Sequence, residues 1–356
     1  MHNQLTLAVA GGRKTQMVAE RCASLPLDRR VAVITYTQAN QQELQIRIAK
    51  LAGGHLNVQV MGWFTFLLRH FARPFLPLKF SGLPIPGFRF EGDPDMYAKG
   101  SLRFVDANGD AYRSELPRLA FELLTDSRGA ALHRIECLFD EILIDEVQDF
   151  CGYDLDLLET LFDSSICTWL VGDVRQAVLS TNPKAKKNKK FRGAKILDWF
   201  QAQEKGGKLE ISHAHTTWRC CQEIATYSDG IFDSGCGYPK THSENFTRTG
   251  HDGVFLVHPK DVAAYVAQFA PQCLRDSSRS AKSYKLAFIN FGAAKGSTHH
   301  RVLIMPTKPM EKFITEGGKL TENSTGDLYV AVTRAAQSVA IVLANAGKSG
   351  LSFWQP

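Results

Sequence analysis

Short apolar runs alternate with amphipathic, helix-like stretches along the chain, and each run ends in glycine or polar residues. The run LTLAVA at 5–10 is followed by a Gly-Gly pair and KTQMVAERCASL, and RVAVITYT at 30–37 is followed by QANQQELQIRIAKL. Short apolar runs bounded by turn residues are typical of buried strands, whereas helical spacing of apolar residues is typical of amphipathic helices. The alternation predicts a parallel, doubly wound α/β sheet.

Two further runs end in acidic residues, EILIDE at 141–146 and CTWLVGD at 167–173. Polar residues at the carboxyl ends of parallel strands are typical of α/β proteins, which bind ligands at that edge of the sheet. A second series of apolar runs comprises GVFLVHP at 253–259, YKLAFIN at 284–290, RVLIMP and a final SVAIVLA at 338–344. The two series predict two α/β domains.

The boundary between these domains is expected in the polar segment QAQEKGGK. We therefore predict a first domain at 1–202 and a second domain at 203–356. Within the first, residues from about 65 to 135 combine aromatic residues with the Pro/Gly-rich stretch PFLPLKFSGLPIPGF and a helix-like LPRLAFELLTD. We predict that this segment is a small subdomain inserted into the first domain.

Charge and composition narrow the class of protein. The chain of 356 residues carries a net charge of +6, which favours a polyanionic partner such as nucleic acid. No apolar run approaches the roughly 20 residues needed to span a bilayer, and the start of the sequence does not resemble a secretory leader. The eight cysteines show no CxxC spacing, as is typical of reduced intracellular proteins. We expect a cytoplasmic protein without a membrane partner.

The first candidate site is the segment AGGRKT at 10–15. A phosphate-binding loop needs small residues whose N–H groups turn toward the phosphates, a lysine for charge and a serine or threonine for Mg²⁺. The strict pattern GxxxxGK[ST] fails because Ala8 and Arg13 stand at the two glycine positions. From this segment alone, a Gly-Gly turn before an amphipathic helix is an equal alternative. The candidate nucleotide-binding residues are Gly11, Gly12, Arg13, Lys14 and Thr15.

Acidic residues at two predicted strand ends form the second candidate. In IDEVQDF, Asp145 can hold Mg²⁺ while Glu146 orients the attacking water. In VGDVRQ, Asp173 and Gln176 follow another strand, and the glutamine amide can hydrogen-bond a terminal phosphate. A solvated acidic turn and an ordinary strand-to-loop exit are the alternative interpretations of these two segments.

Basic residues supply the third candidate. The stretch KAKKNKKFRGAK at 184–195 is the densest positive charge in the chain and contains Phe191, which suits phosphate contact and base stacking. A flexible solvated loop is the alternative. Arg219, in TTWRCCQEIA, and Arg334, in YVAVTRA, lie far downstream. Two arginines from a second domain can neutralise charge on a transferring phosphoryl group, although each alone is typical of a surface or ion-pairing residue.

Together these segments resemble the UvrD/Rep-type DNA helicases of superfamily 1, over most of the chain. The most specific pieces are IDEVQDF, VGDVRQ with the later FRGA, AAKGSTHHRVLIMPT and LYVAVTRA, and the chain is similar to the compact members of that group. The resemblance implies an α/β fold of two RecA-like P-loop domains with parallel sheets, plus a small inserted subdomain in the first. It also implies ATP and Mg²⁺ as cofactors.

The resemblance assigns roles to the candidate residues. Thr15 and Asp145 would hold Mg²⁺, and Asp145 would belong to the nucleotide-binding set. The residues implied in catalysis are Glu146 as general base, Gln176 as the link between the terminal phosphate and the nucleic-acid site, and Arg219 and Arg334 from the second domain. The residues implied in nucleic-acid binding are Tyr36, Thr37, Phe191, Arg192, Lys295 and Thr298.

The function expected from the resemblance is an ATP-dependent DNA helicase or translocase. Its partner would be single-stranded DNA or a duplex with a single-stranded tail, and a protein such as a nuclease is a further expected partner. One alternative is a hydrolysis-impaired DNA-binding sensor or partner subunit of the same fold. Another is a viral-type superfamily 1 RNA helicase, which shares a VAxTR-type ending.

Overall fold

The computed structural model describes residues 3–356, which divide into two compact units. The first unit contains residues 3–7, 14–174 and 180–212, and the second contains residues 8–13, 175–179 and 213–356. Each unit has its own parallel sheet with helices between the strands, so the predicted α/β fold class is confirmed, in the layout expected of RecA-like domains. The domain limits 1–202 and 203–356 stay predictions.

The first sheet is parallel and centrally buried. The first eight strands among the described residues are β1 (Gln4–Ala8), β2 (Val31–Thr35), β3 (Val58–Gly62), β4 (Phe88–Arg89), β5 (Ala111–Tyr112), β6 (Glu141–Asp145), β7 (Cys167–Gly172) and β8 (Glu210–Ala214). Six of them form the order β3-β2-β6-β7-β1-β8, and each neighbouring pair from β3 to β1 is parallel. Every residue of β2 and β6 is buried, as expected for central strands covered on both faces.

Helices cover this sheet and fix the loops at its strand ends. They are α1 (Lys14–Ser24), α2 (Gln38–Ala52), α3 (Trp63–Leu67), α4 (Arg73–Phe75), α5 (Leu116–Asp126), α6 (Ala130–Leu138), α7 (Tyr153–Phe162) and α8 (Ile196–Lys205). Val18 of α1 and Leu44 of α2 lie in one apolar core with Val33 and Leu143 of the sheet. This burial holds the start of α1 next to the strand ends.

The segment between β3 and β6 contains the subdomain predicted at about 65–135. Its two ends are helical, because α3 continues through a π-helical turn at Leu68–Ala72 into α4, and α5 and α6 precede β6. The strands β4 and β5 pair with each other in parallel and form a separate small sheet. The segment belongs to the first unit, and its autonomy as a subdomain stays a prediction.

Asp154, in the first turn of α7, anchors this segment. Its carboxylate is fully buried and accepts hydrogen bonds from Trp63 Nε1 at 2.7 Å, from the Cys151 N–H at 3.2 Å and from Thr181 Oγ1. Burial raises the pKa of Asp154 to about 6, while the Thr181 and Trp63 donors act in the opposite direction. One carboxylate therefore ties together the start of α3, the start of α7 and the loop after β7.

The second unit is built on five parallel strands. The remaining strands are β9 (Thr216–Thr217), β10 (His242–Ser243), β11 (Gly253–Val257), β12 (Gln272–Arg275), β13 (Phe288–Asn290), β14 (His299–Ile304) and β15 (Ala335–Val342), and the helices are α9 (Gln222–Asp229), α10 (Val262–Phe269), α11 (Lys308–Glu316) and α12 (Glu322–Val332). The sheet order is β11-β15-β14-β12-β13. Leu256, Val302 and Ile341 of the sheet share a core with Leu328 of α12.

None of the eight cysteines, all of which lie among residues 3–356, forms a disulfide. Within residues 3–356, no helix combines the length and the apolar character that crossing a membrane would require.

Replacing Asp154 by alanine should lower the free energy of unfolding by roughly 3 kcal/mol or more, because three buried donors would lose their acceptor. Chemical denaturation measures this change. Asp198→Ala is the matched control, since Asp198 is exposed in the first turn of α8 and its loss should change stability by less than about 1 kcal/mol. Equal effects of the two substitutions would refute the anchoring role.

Candidate functional sites of the two units

Four strands of the first sheet end next to the polar segments predicted to bind ligands. β1 leads to the loop before Lys14 and Thr15, β2 leads to Tyr36, β6 to Glu146 and β7 to Asp173. Because these strands are parallel, their carboxyl ends meet at one edge, which we call the carboxyl edge of the first sheet. Adjacent strands lie about 4.8 Å apart, so the ends of β1 and β6, separated by β7, are about 10 Å apart.

Asp145 and Glu146 lie together at the end of β6. Asp145 is the last residue of the strand and is buried, and its Oδ1 accepts a hydrogen bond from the Glu146 N–H at 2.9 Å. Glu146 has φ 58°, a left-handed conformation that costs a non-glycine residue roughly 1–2 kcal/mol. Backbone strain of this kind concentrates at functional sites, where the surrounding structure enforces it. The turn takes Glu146 out of the extended strand that carries Asp145.

Gln148 fixes the side chain of Glu146. It lies in the 3₁₀ turn Val147–Asp149, where its Nε2 donates to Glu146 Oε2 and its Oε1 accepts from the Asp173 N–H at 3.0 Å. Gly172 leaves room for this amide, because a Cβ at that position would lie 2.6 Å from Gln148 Oε1. The sequence alone led to no predicted role for Gln148 or Gly172. The signal that could have identified Gln148 is its place two residues after Glu146 in IDEVQDF.

The predicted Mg²⁺ ligands have suitable chemistry. Thr15, the second residue of α1, supplies a hydroxyl, and Asp145 supplies a carboxylate. Mg²⁺ prefers oxygen ligands and is usually held by one or two carboxylates together with substrate phosphates and water. Among the described residues no group of three or more His, Cys, Asp or Glu side chains converges on a metal position. One hydroxyl and one carboxylate are of the ligand type that Mg²⁺ shared with a nucleotide uses, and the binding of Mg²⁺ by Thr15 and Asp145 stays a prediction.

Tyr36 and Thr37 follow β2 at the same edge, and their side chains make different contacts. The half-buried Tyr36 donates through its hydroxyl to the Ser180 carbonyl at 3.3 Å and accepts from Arg113 Nη1 at 3.4 Å. Burial raises the pKa of Tyr36, so the hydroxyl keeps its proton. The Thr37 hydroxyl accepts from the Asn40 N–H at 3.1 Å and caps α2. Thr37 therefore has a structural role in addition to its predicted contact with nucleic acid.

The lysine-rich segment, residues 184–195 of the first unit, contains both ion-paired and exposed cations. Lys184 Nζ lies 2.6 Å from the Asp93 carboxylate, and Lys187 Nζ lies 3.1 Å from the Asp156 carboxylate. These two pairs attach the segment to its surroundings. The lysines that are exposed and have no ion pair among the described residues are Lys186, Lys189, Lys190 and Lys195.

Phe191 and Arg192 lie inside this segment. Phe191 is half-buried, and Lys190 Nζ lies 4.7 Å from the centroid of its ring. Arg192 is also half-buried, and its Nη2 donates to the Ala185 carbonyl at 2.7 Å. The Arg192 guanidinium therefore makes a hydrogen bond within the lysine-rich segment, and the neighbouring lysines carry its exposed charge.

In the second unit, Gln176 and Arg334 are joined directly. Arg334 is buried, and its Nη2 donates to Gln176 Oε1 at 2.9 Å. The same guanidinium donates through Nε to the Val330 carbonyl at 3.1 Å and through Nη1 to the Ser297 carbonyl at 3.3 Å. A guanidinium presents its donors in one rigid plane, so these acceptors fix its orientation. The structure brings the predicted phosphate sensor and the predicted arginine into contact.

Arg219 lies close to the same place. Its Nη1 donates to the carbonyl of Thr333, the residue before Arg334, at 3.0 Å. Burial lowers the pKa of the nearby His299 imidazole, and the charges of Arg334 and Arg219 lower it further. Both predicted arginines therefore act on the same imidazole, and together with burial they lower its pKa and favour its neutral form.

The first part of the segment AGGRKT, residues 10–13, packs within the second unit. Thr217 Oγ1 donates to the Ala10 carbonyl at 2.8 Å, and the Trp218 N–H donates to the Gly11 carbonyl at 3.1 Å. Gly11 has φ +73°, and a Cβ there would lie 2.6 Å from Arg219 Cβ. Both the backbone conformation and the space therefore require glycine at this position.

Arg13 occupies the second glycine position of the loop pattern and keeps the conformation of a glycine. Its φ is 57°, in the left-handed region that glycine enters without steric cost. Its guanidinium lies 4.3 Å from the centroid of the Trp218 ring, a cation–π contact. Just before it, the Gly12 N–H donates to the Val9 carbonyl at 3.0 Å and closes the turn. The loop therefore accommodates Arg13 in a strained backbone conformation, and the contact with Trp218 stabilises its side chain.

Lys295 and Thr298 lie in the loop before β14. Lys295 follows the 3₁₀ turn Gly292–Ala294 and is half-buried, whereas Thr298 is exposed. Ser297, between them, supplies a carbonyl to Arg334. The predicted nucleic-acid residues of the second unit therefore belong to a loop that is bonded to the Arg334 site.

The chain is similar to many solved structures, which include two of one viral protein. The structure of arterivirus nonstructural protein 10, a helicase, is 14% identical, with a TM-score of 0.49, and the match covers 96% of this chain and 59% of that chain. The structure of arterivirus nonstructural protein 10 in complex with DNA is 13% identical, with a TM-score of 0.49, and the match covers 96% of this chain and 61% of that one. This chain thus spans about three fifths of their length, and a likeness of this degree supports no inference about activity. No protein-family profile and no curated protein sequence matches the chain.

Gly172→Ala should lower the free energy of unfolding by about 1–3 kcal/mol, because the new Cβ forces Gln148 Oε1 and Val147 Cγ1 to move. Thermal and chemical denaturation measure the change. Gly54→Ala is the control, since a Cβ at Gly54 meets no atom within 4 Å. If Gly172→Ala is as stable as the wild type, the space between position 172 and Gln148 does not require glycine.

Comparing Arg13→Gly with Arg13→Ala isolates the backbone strain at that position. Both variants lose the Trp218 contact, so Arg13→Gly should be the more stable by about 1 kcal/mol, since only alanine retains the cost of positive φ. The same pair at Glu43, inside α2, should show the opposite order by about 1 kcal/mol. The same order at both positions would contradict a left-handed Arg13.

Proposed function

We propose that this chain is an ATP-hydrolysing helicase or translocase of superfamily 1, of the UvrD/Rep type, that moves along single-stranded DNA. The observation that supports the proposal best is the carboxyl edge of the first sheet. Parallel strands bring three of the segments on which the resemblance depends to that edge: the start of α1 with Lys14, the Tyr36 segment, and the acids Asp145 and Glu146.

The proposed chemistry of the first unit follows from the types of side chain. Lys14, at the N-terminus of α1, contributes charge to phosphate binding, and helix N-termini favour anions in any case. Glu146, held by the Gln148 amide, accepts the proton of the attacking water. Mg²⁺ bound by Thr15 and Asp145 would neutralise charge on the phosphate oxygens.

The resemblance assigns positive charge and a phosphate sensor to residues of the second unit. Arg219 and Arg334 stabilise the charge that spreads over the phosphoryl oxygens during transfer, which is the role arginines play in such reactions. Gln176 accepts directly from Arg334, so a change in the contacts of one side chain alters the other. The proposal assigns the coupling between hydrolysis and movement to this bond.

The proposed nucleic-acid contacts combine rings with exposed cations. Tyr36 at the carboxyl edge and Phe191 in the lysine-rich segment supply rings, and the exposed lysines of that segment supply charge for the phosphate backbone. These features suit single strands of DNA and RNA alike. Competition between DNA and RNA oligonucleotides of one sequence decides between the DNA helicase and the RNA helicase of the viral branch.

A second candidate function is a nucleotide- and DNA-binding sensor without turnover. The observation that favours it is Arg13, which stands at a glycine position of the phosphate loop in a strained conformation and contacts Trp218. A large side chain held against Trp218 at this position would let the loop bind nucleotide without positioning it for hydrolysis. The sensor would bind single strands but show no hydrolysis that depends on them.

Glu146→Gln should slow steady-state ATP hydrolysis by about 10²–10⁴-fold, because the amide cannot accept the proton of the attacking water. Hydrolysis is measured with and without single-stranded DNA. Glu43→Gln, an exposed ion-paired residue of α2, is the control and should hydrolyse ATP like the wild type. Stimulation by DNA that is lost in Glu146→Gln supports the motor, whereas DNA binding without hydrolysis in the wild type supports the sensor.

Replacing Lys186, Lys189 and Lys190 by glutamine should weaken binding of a single strand and reduce the slope of log K against log salt by about 2, because fewer counterions are released. Fluorescence anisotropy at several salt concentrations measures both. The charge-matched control replaces Lys260, Lys308 and Lys312 of the second unit, which are exposed. If both variants change the slope equally, only overall charge matters and the segment is a solvated loop.

A further inference from the structure

Four aromatic rings of the first unit form a continuous series from the carboxyl edge to the protein surface. The Tyr36 and Phe64 centroids are 6.0 Å apart, Phe64 and Phe88 are 5.9 Å apart, and Phe88 and Phe90 are 5.2 Å apart. We call these residues the ring series. Phe64 is buried, whereas Phe90 is 53% exposed. The series therefore starts at a predicted nucleic-acid residue and ends in a ring that solvent can reach.

Arg113 runs alongside this series. Its guanidinium lies 5.8 Å from the Phe64 ring centroid and 5.9 Å from that of Phe90, and it donates to the Tyr36 hydroxyl. The Arg113 N–H also donates to the Arg89 carbonyl at 3.2 Å, which extends the pairing of β4 with β5. The exposed Phe90 ring is thus held on a small sheet and backed by a cation.

The lysine-rich segment adjoins this place. Lys184 is paired with Asp93, three residues after Phe90, and Asn182 Nδ2 donates to the Ser114 carbonyl at 2.6 Å, next to Arg113. Lys184 and Asn182 therefore join the start of the lysine-rich segment to the surface around Phe90. Glu91, the exposed acid after Phe90, repels phosphate, so a strand at this place would face Phe90 with its bases.

We propose that Phe90 is a base-stacking platform and that, with the exposed lysines, it extends the single-strand site from Tyr36 onto the segment between β3 and β6. The occupant is single-stranded nucleic acid, since an exposed ring that is backed by the Arg113 guanidinium and joined to the lysine-rich segment matches alternating bases and phosphates. This inference depends on the proposed function only in taking nucleic acid as the ligand. It does not depend on hydrolysis.

The test compares Phe90→Ala, Phe90→Leu and Phe90→Trp in the full chain without nucleotide. Binding of a labelled oligothymidylate and of an abasic strand of equal length is measured by anisotropy. Removing one stacked base contact should weaken oligothymidylate binding by roughly 5- to 100-fold in Phe90→Ala and Phe90→Leu, and Phe90→Trp should restore it. Binding of the abasic strand and the salt slope should stay unchanged, because phosphate contacts are intact.

Phe246→Ala is the matched control, because Phe246 is a 73% exposed phenylalanine of the second unit and should bind like the wild type. Wild-type affinity in Phe90→Ala would overturn the proposal, and so would an equal loss of affinity for the abasic strand. A wild-type chain that binds no single strand would overturn it as well.

Hydrolysis separates this inference from the proposed function. If Phe90→Ala loses affinity in a chain that does not hydrolyse ATP, the platform stands and the motor fails. If Phe90→Ala binds normally while DNA stimulates hydrolysis in the wild type, the motor stands and the platform fails.

Discussion

Parallel pairing of the strands of the first sheet is the constraint on which the rest of the candidate chemistry depends. β1, β7, β6 and β2 are neighbours in one sheet and run in the same direction. Segments far apart in the sequence therefore end at a common edge, where a lysine, a hydroxyl, two carboxylates and a tyrosine are available. An antiparallel partner among these strands would move one of the segments to the opposite edge. The complete burial of β2 and β6 stabilises this order, because helices on both faces hold the strands in place.

Much of the fold could be predicted from the sequence, and the exceptions have physical reasons. Strands buried on both faces appear in the sequence as unbroken apolar runs, so β2 and β6 can be recognised in RVAVITYT and EILIDE. β3 lies at the edge of the sheet and is only partly buried, so VQVMG shows no such run and no strand is predicted there. YKLAFIN predicts a strand from Tyr284, but β13 begins at Phe288. Tyr284 and Leu286 pack against a core of the second unit instead, so their apolar character reflects packing rather than pairing.

The candidate site could be predicted only where its residues directly follow an element that the sequence itself reveals. Asp145 and Glu146 follow an apolar run, so their place at a strand end can be deduced from the sequence. Which lysines of the lysine-rich segment are exposed cannot be deduced, because Lys184 and Lys187 find their carboxylates at Asp93 and Asp156. These pairs depend on tertiary contacts, as does the need for glycine at 172. The conformation of Arg13 could not be predicted either. The sequence shows that a glycine is missing from the loop pattern, but not whether the loop keeps the backbone conformation that glycine would have.

Each unit uses a glutamine amide to position a charged side chain. In the first unit, Gln148 donates through Nε2 to the Glu146 carboxylate, and in the second, Gln176 accepts through Oε1 from the Arg334 guanidinium. An amide can serve a carboxylate and a guanidinium equally well because it carries both a donor and an acceptor. A glutamate at 148 would repel Glu146 and remove the donor, whereas a glutamate at 176 would neutralise Arg334. A neutral amide positions each group and leaves its charge available, which is what the roles proposed for Glu146 as general base and for Arg334 as phosphate-stabilising arginine both require.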